Sequence, residues 1–168
     1  CYLTTKITYA NQVGQVMIRD GMEDEVKTVL KAIGGDSRIG TKYLNYGYGF
    51  GGPCFPRDNR AFAAYASKAG VETPLGATTD KFNDEHTNFL YDYYKKKNKD
   101  NLPYCFKYLT YKEGVDILTE SRPYDLAMSF INDGYDVYCL SSGKGLLIDP
   151  RIKFQTPTEP VCHVDLWI

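Results

Sequence analysis

Residues 36–58 read DSRIGTKYLNYGYGFGGPCFPRD, and no regular helix or strand can run through the middle of this stretch. Five glycines lie within it, interleaved with tyrosines and Phe50. Glycine allows positive φ and close backbone approach, and aromatic rings offer flat surfaces to a ligand. We therefore predict an irregular ligand-binding loop that interrupts an otherwise helical segment.

Apolar residues recur at helical spacing on both sides of this loop. Upstream, the pattern predicts two helices over residues 2–20 and 23–33, close enough in sequence to form a helical hairpin. Downstream, it predicts one helix over residues 58–70 and another from Pro74 to the lysine run 95–99, where cations complement the helix dipole. One stripe of this last helix contains Phe82, His86, Phe89 and Tyr93. Both histidines, His86 and His163, are nevertheless expected at the surface or in an interface.

The pattern changes after residue 100. A strand, a helix and a second strand are predicted over residues 104–109, 121–132 and 135–140. Such a βαβ unit implies a parallel sheet, because parallel neighbours need a crossover connection. Further short strands are predicted over residues 145–148 and 161–166.

The fold class that follows is a helical domain joined to a small module of a different kind. We predict that residues 1–100 form an α-helical central domain that carries the cysteine loop. Residues 101–168 are predicted to form a small α/β, Rossmann-like module with a parallel sheet.

The composition of the 168 residues excludes several classes of protein. The formal net charge is −1, without the clustered basic excess that nucleic-acid binders carry. No apolar run reaches the roughly 20 residues that a membrane-spanning helix needs. The five cysteines include no C-x-x-C pair, and the two histidines lie near no cysteine cluster, so no metal site is predicted. Without a secretory signal, we expect packing cysteines rather than a disulfide framework, in a cytoplasmic protein.

The segment Gly51–Asp58 carries the candidate chemistry. Cys54 follows two glycines and precedes a helix expected to start near Pro56, where backbone N–H groups and the helix dipole stabilise a thiolate. Arg57 adds positive charge, and the glycines let a substrate reach the sulfur, which is the profile of a nucleophilic cysteine. Residue type alone leaves an equal alternative, a small buried loop cysteine, and favours Asp58 as a helix-capping carboxylate over a catalytic one.

The same residues carry a resemblance to a known family. The segments Asp36–Gly40, Lys42–Asn45 and Gly47–Arg60 are similar to the signature D-x-R-I-G … G-x-G-[FY]-G-G-x-C-[FL]-P-[KR]-D of the UDP-glucose/GDP-mannose dehydrogenases. Thr5–Asn11 resembles the helix that begins the central domain of that family. Shorter segments resemble its C-terminal UDP-binding domain and its chain end; they begin at Tyr111, Glu120, Leu126, Gly134 and Val164.

This resemblance implies a nucleotide-sugar 6-dehydrogenase. Family members oxidise C6 of a nucleotide-linked hexose from alcohol to acid in two hydride transfers to NAD. The motif cysteine, here Cys54, adds to the intermediate aldehyde as a thiohemiacetal, which becomes a thioester that water hydrolyses. UDP-glucose is the default substrate, and UDP-glucuronate for polysaccharide biosynthesis is the product. The family also implies a homodimer that pairs through the central helices.

The resemblance assigns roles to individual residues. Asp58 would handle the proton of water or alkoxide beside the catalytic Cys54. Substrate contacts would come from the D-x-R-I-G arginine, the loop and a later pair, namely Arg38, Tyr43, Leu44, Asn45, Tyr46, Gly47, Phe50, Gly51, Tyr111 and Lys112. Cofactor contacts would come from Arg57 and from Thr119, which stands where some branches carry a cofactor-contacting arginine.

The chain also departs from the family pattern. The catalytic lysine and asparagine of the family precede the position of Cys1, and no G-x-G-x-x-G follows a predicted strand, so we expect the N-terminal Rossmann domain to be absent. The glycine usual after the first strand of the C-terminal domain is replaced by Tyr108. The leading hypothesis is that the chain is part of a dehydrogenase and is inactive without the NAD-binding half. That half is expected upstream of this sequence or on another chain. The alternative is a non-catalytic remnant that serves dimerisation or UDP-sugar binding.

Overall fold

The computed structural model describes residues 1–141 and 149–166, which form two compact units. The first unit contains Cys1–Phe50, Cys54–His86 and Leu166, and the second contains Gly51–Pro53 and Thr87–Asp165. The strand predicted over residues 145–148 lies outside the described residues. The domain boundary near residue 100 stays a prediction. Along the chain, the division between the two compact units falls between His86 and Thr87.

The first unit is helical, as the apolar periodicity predicts. Its helices are α1 (Tyr2–Arg19), α2 (Val26–Gly34), α3 (Phe55–Lys68) and the first half of α4 (Pro74–Lys97). A short 3₁₀ turn, Glu23–Glu25, places three acidic residues just before α2, where the positive end of the helix dipole favours them. The helix α3 starts three residues earlier than the apolar pattern suggested, because Pro56 fits the first turn of a helix. Backbone N–H groups in that turn have no partner within the helix, so the N–H that proline lacks costs no hydrogen bond.

The helices α1 and α2 form the predicted hairpin and share one apolar core with a residue of the loop. The buried members of this core are Ala10, Met17, Val26, Leu30 and Leu44. Leu44 is 3% exposed, so the glycine-rich loop is attached to the hairpin by burial of an aliphatic side chain, which contributes on the order of 2 kcal/mol.

The second unit is a parallel α/β module. Its strands are β1 (Tyr104–Phe106), β2 (Val137–Cys139), β3 (Ile152–Lys153) and β4 (Cys162–Val164), in the order β3-β2-β1-β4. The crossover from β1 to β2 is the helix α5 (Arg122–Asn132), and both neighbours of β1 pair with it in parallel. The helix packs on the sheet through Phe130, whose ring stacks on Tyr104 with 3.6 Å between centroids.

The predicted fold class, a helical part followed by a small parallel sheet, is therefore confirmed. None of the helices in the described ranges is long and apolar enough to cross a membrane.

Candidate active site

Cys54 lies at the N-terminal end of α3 and is exposed. Its carbonyl accepts the backbone N–H of Asp58 at 2.8 Å, so the residue is already wound into the first helical turn. The free N–H groups of a helix point out of this end, beside the thiol. The alternative of a small buried loop cysteine is wrong for this residue, whereas Cys105 and Cys139 are buried as predicted.

Asp58 lies one helical turn after Cys54, and its carboxylate is bound by the neighbouring arginine. The Nε atom of Arg57 donates to Oδ1 of Asp58 at 2.8 Å, and an Nη atom lies at the same distance. The carboxylate raises the pKa of the Arg57 guanidinium, chiefly through this hydrogen bond. Both side chains are more than half exposed, so the pair adds little to stability, but it holds the Asp58 carboxylate in the first turn of α3.

Two tyrosines of the loop lie in different environments. Tyr43 has a φ of 62° and is 43% exposed, and its ring lies 6.0 Å from that of Phe55, the first residue of α3. Tyr46 instead packs edge-on against His86, with 5.5 Å between ring centroids. The loop therefore brings Tyr43, and not the ring of Tyr46, to the surface at the start of α3. Asn45 between them is exposed.

The backbone of Gly47 and Phe50 forms hydrogen bonds with buried side chains. The N–H of Gly47 donates to Asn11 Oδ1 at 2.9 Å, and its carbonyl lies 2.7 Å from His86 Nε2. Asn83 forms two bonds with Phe50, accepting its N–H at 2.9 Å and donating to its carbonyl at 2.7 Å. The Phe50 ring is 1% exposed, so it does not present a flat surface to a ligand, and the substrate contact of this residue stays a prediction.

The sequence-based expectation of a surface or interface position is wrong for His86, whose relative exposure is 0%. Burial lowers its pKa to about 4. Its Nδ1 atom lies 2.7 Å from the side-chain amide of Gln15, and its ring stacks on Phe82. The signal was present in the sequence, because His86 occupies the apolar stripe of α4. The other histidine, His163, is exposed.

Arg38 lies apart from these buried contacts. Its side chain is 87% exposed and forms a two-point pair with Asp36, which lowers the pKa of that carboxyl. The loop that carries it is attached to α1 by Lys6, whose ammonium donates to the carbonyls of Ile39 at 2.8 Å and Gly40 at 2.9 Å. The substrate contact of Arg38 stays a prediction.

In the second unit, Gly51 and Gly52 pack closely against the segment that follows β1. The N–H of Gly52 donates to the carbonyl of Thr119 at 3.0 Å. A Cβ at Gly51 would lie 2.2 Å from the Glu120 carbonyl oxygen, and one at Gly52 would lie 2.6 Å from the ring of Tyr111. Close backbone packing therefore requires glycine at both positions. From the sequence, these glycines were explained by substrate access to the sulfur, and this packing was not predicted.

The remaining predicted contacts of this unit lie beside that packing. The Lys112 ammonium is 5.4 Å from the centroid of the Tyr111 ring, and the Thr119 side chain is exposed. Their roles toward substrate and cofactor stay predictions.

The described residues do not form a dinucleotide-binding cradle by themselves. The strand β1 ends at Phe106 and is followed by Lys107, Tyr108 and Leu109, without the glycine-rich turn into a helix that holds a pyrophosphate. Within residues 1–141 and 149–166, no group of three His, Cys, Asp or Glu side chains could hold a metal ion. The cofactor contacts expected from Arg57 and Thr119 stay predictions.

Comparison with known proteins identifies the same family as the motif. The model of the UDP-glucose/GDP-mannose dehydrogenase family, central domain, matches residues 1–85. A UDP-glucose 6-dehydrogenase of Haloferax volcanii is 32% identical over 137 residues, covering 81% of this chain and 31% of the relative. A GDP-mannose 6-dehydrogenase of Pseudomonas savastanoi is 29% identical over 140 residues, covering 82% of this chain and 31% of the relative.

A solved structure of the same family is also similar to this chain. A UDP-glucose dehydrogenase from Pyrobaculum islandicum superimposes with a TM-score of 0.72 at 30% identity, over 82% of this chain and 32% of that one. The chain thus spans about a third of the length of the relatives that it matches. The length of the family match and the level of identity lead to one conclusion. The chain belongs to the UDP-glucose/GDP-mannose dehydrogenase family.

Proposed function

We propose that this chain supplies the nucleophile of a nucleotide-sugar 6-dehydrogenase, and that the nucleophile is Cys54. The observation that carries the proposal is the exposed thiol of Cys54 at the N-terminal end of α3. Reaction with a sugar aldehyde requires an accessible sulfur, and a buried packing cysteine is inert. The alternative of a non-catalytic remnant has no such specific observation in its favour.

The chemistry proposed for Cys54 is covalent capture. Its thiolate adds to the C6 aldehyde carbon, and the carbonyl electron pair moves to oxygen, which takes a proton to give a thiohemiacetal. When bound, NAD would supply the oxidising equivalents, with one NAD⁺ for the hydride of the alcohol and a second NAD⁺ for the hydride of the thiohemiacetal. The resulting thioester is attacked by water, and the thiolate leaves as the carboxylate forms. Covalent capture keeps the reactive aldehyde from escaping between the two oxidations.

Asp58 is proposed to assist the proton transfers of this sequence. Its carboxylate lies one helical turn after Cys54 and is held by Arg57 at 2.8 Å. An ionised carboxylate in this place can accept the proton of the attacking water or orient that water by a hydrogen bond.

For the substrate, we propose a UDP-hexose, with UDP-glucose as the first candidate and UDP-glucuronate as its product. The relatives named above act on UDP-glucose in one case and on GDP-mannose in the other, so both sugars belong in the assay. Arg38 and Tyr43, which are exposed, are the proposed side-chain contacts from the first unit.

We further propose a homodimer that pairs through the helices of the first unit. Tyr9 and Val16 are 47% and 64% exposed and lie seven residues apart, hence on one face of α1. Exposed apolar side chains on one helix face are typical of an interface. Sedimentation analysis should give a dimer for the parent chain and a monomer for Tyr9→Glu; a parent chain that stays monomeric at all concentrations contradicts this part of the proposal.

The nucleophile is tested by alkylation and by turnover. Iodoacetamide should modify Cys54 before Cys105 and Cys139, and UDP-glucose should slow that reaction. With the NAD-binding domain of a relative supplied in trans, NADH formation from UDP-glucose should fall by at least about a thousandfold in Cys54→Ser, as is usual for a lost covalent nucleophile. Cys162→Ser is the matched control. Undiminished turnover in Cys54→Ser would contradict the assignment of Cys54 as the nucleophile. If UDP-glucose protects Cys54 of the parent chain but no NADH forms, the sugar-binding remnant is favoured.

A further inference from the structure

Three buried polar side chains lie beneath the glycine-rich loop, and we call Asn11, Asn83 and His86 the loop clamp. Their relative exposures are 1%, 2% and 0%. Asn11 comes from α1, and the other two come from α4, one helical turn apart. Together they form four hydrogen bonds of 2.7–2.9 Å with the backbone of Gly47 and Phe50. The loop backbone is therefore held by side chains from two helices that are distant in sequence.

Packing alone does not explain these residue types. A buried polar group costs free energy unless it is hydrogen-bonded, and an apolar side chain of similar size avoids that cost. His86 lies on the apolar stripe of α4 and stacks on Phe82, with 6.0 Å between ring centroids. What distinguishes it from that apolar neighbour is the bond to the loop.

The hydrogen-bond network fixes the tautomer of His86. A carbonyl oxygen only accepts, so the proton must be on Nε2, which lies 2.7 Å from the carbonyl of Gly47. The Nδ1 atom then accepts from the Gln15 amide at 2.7 Å, with the amide oriented by this same network. The ring is therefore a neutral donor with a second residue that holds its orientation.

We propose that His86 is a positioning residue that, with Asn83 and Asn11, presets the shape of the Gly47–Phe50 backbone for the nucleotide sugar. The inference rests on the proposed function for the identity of that ligand. A loop that is ordered before binding does not lose conformational entropy at the moment of binding, and the affinity is correspondingly higher. Since Cys54 follows Phe50 by four residues, the same bonds fix where the segment that carries the thiol begins.

The test compares two substitutions of the same residue. His86→Leu removes the donor and leaves the carbonyl of Gly47 unpaired, whereas His86→Gln keeps an amide N–H that can donate to it. UDP-glucose affinity, read from protection of Cys54 against iodoacetamide, should fall about tenfold in His86→Leu, as expected for one lost hydrogen bond. It should stay within about threefold of the parent in His86→Gln.

Two control variants separate positioning from general stability. Leu126→Ala truncates a side chain of α5 that is 0% exposed and lies in the second unit, without removing a bond to the loop. It should lower the urea midpoint while leaving the UDP-glucose affinity unchanged. His163→Gln removes the exposed histidine of β4 and should change neither measurement.

A readout without ligand separates this inference from the proposed function. Amide hydrogen exchange at Gly47 and Phe50 should be slow in the parent chain and at least about tenfold faster in His86→Leu. Nitrogen chemical shifts of the imidazoles, of which the chain has only two, should show His86 with its proton on Nε2. Failure of UDP-glucose to protect Cys54 in the parent would contradict the proposed ligand, whereas these two signals report on the clamp alone.

The inference is overturned by either of two results. One is unchanged amide exchange at Gly47 in His86→Leu, which would mean that the bond does not hold the loop. The other is a loss of UDP-glucose affinity in His86→Gln as large as that in His86→Leu, which would mean that the donated hydrogen bond is not the relevant feature.

Discussion

The two segments of the signature motif are held in place in opposite ways. The first, Asp36–Gly40, is at the surface, and its arginine is 87% exposed and paired with a carboxylate two residues away. The second, Gly47–Cys54, has Gly47, Tyr48, Gly49 and Phe50 buried, with partners 33 to 39 residues distant in sequence. One segment therefore depends on neighbours in the chain, and the other depends on the packing of helices.

This difference predicts how each segment responds to substitution. An exposed ion pair is screened by water and adds little to stability, so changes in the first segment should be visible mainly in ligand binding. A buried hydrogen-bonded backbone loses its partners when a side chain is removed, so changes in the second should affect both stability and binding.

The largest expected effect compares two glycines of similar backbone conformation. Gly52 and Gly40 have φ values of 79° and 72°, so alanine is strained by about 1 kcal/mol at either position. Only at Gly52 would the new Cβ meet a ring, that of Tyr111 at 2.6 Å, whereas nothing lies within 4 Å of it at Gly40. Gly52→Ala should therefore lower the free energy of unfolding by about 4 kcal/mol, and Gly40→Ala by about 1 kcal/mol.

Urea denaturation measures this comparison, and a double variant checks its cause. Tyr111→Ala removes the ring and should recover most of the difference when combined with Gly52→Ala. Equal losses in the two single glycine variants would mean that the close packing at Gly52 does not exist.

The second effect is a pH dependence that originates in the buried segment. The pKa of His86 is lowered by burial to about 4, below the value of 6.5 for an unfolded chain. The unfolded state therefore takes up a proton first, and stability present above pH 6.5 is lost as the pH falls toward 4, by about 3 kcal/mol. The His86→Gln variant should lack this loss of stability. The free energy of unfolding, measured by urea denaturation at each pH for the parent chain and for His86→Gln, should therefore differ by the contribution of His86. Parallel curves between pH 6.5 and 4 would contradict the burial of a neutral imidazole.

The third effect concerns Asn83 and a matched asparagine on the same helix. Asn83→Ala leaves the N–H and the carbonyl of Phe50 buried without their partner and should cost about 2 kcal/mol of unfolding free energy. Asn88 is exposed on α4, and Asn88→Ala should be neutral or slightly stabilising, because alanine favours the helix. Thermal unfolding of both variants measures the contrast, and similar midpoints for the two would count against the clamp.

The smallest effect on stability is expected in the exposed segment. Arg38→Ala should change the free energy of unfolding by less than about 0.5 kcal/mol, because the pair with Asp36 is at the surface. Arg151 pairs with Asp149 in the same two-residue geometry outside the motif, so Arg151→Ala is the control. Only Arg38→Ala should weaken UDP-glucose protection of Cys54, by about tenfold. Equal affinity in both variants would remove Arg38 from the proposed substrate contacts.

Much of the candidate site could be predicted from short sequence patterns. The start of α3 near Pro56 places Cys54 at a helix N-terminus, and this follows from the proline. The irregular course of residues 36–54 follows from the glycines. The burial of Phe50 and the hydrogen bond from His86 to the loop could not be predicted, because both depend on contacts between α1, α4 and the loop.

The sequence by itself determined the helices, the parallel βαβ unit and the family, because periodicity and motif spacing act within a few neighbouring residues. Only the tertiary structure decided that His86 is a neutral buried donor, that Phe50 faces inward, and that Gly51 and Gly52 are packed against the segment near Tyr111. These outcomes depend on close approach between residues that are 30 to 70 positions apart. No local pattern encodes such contacts, since they form only when the helices and the sheet have packed.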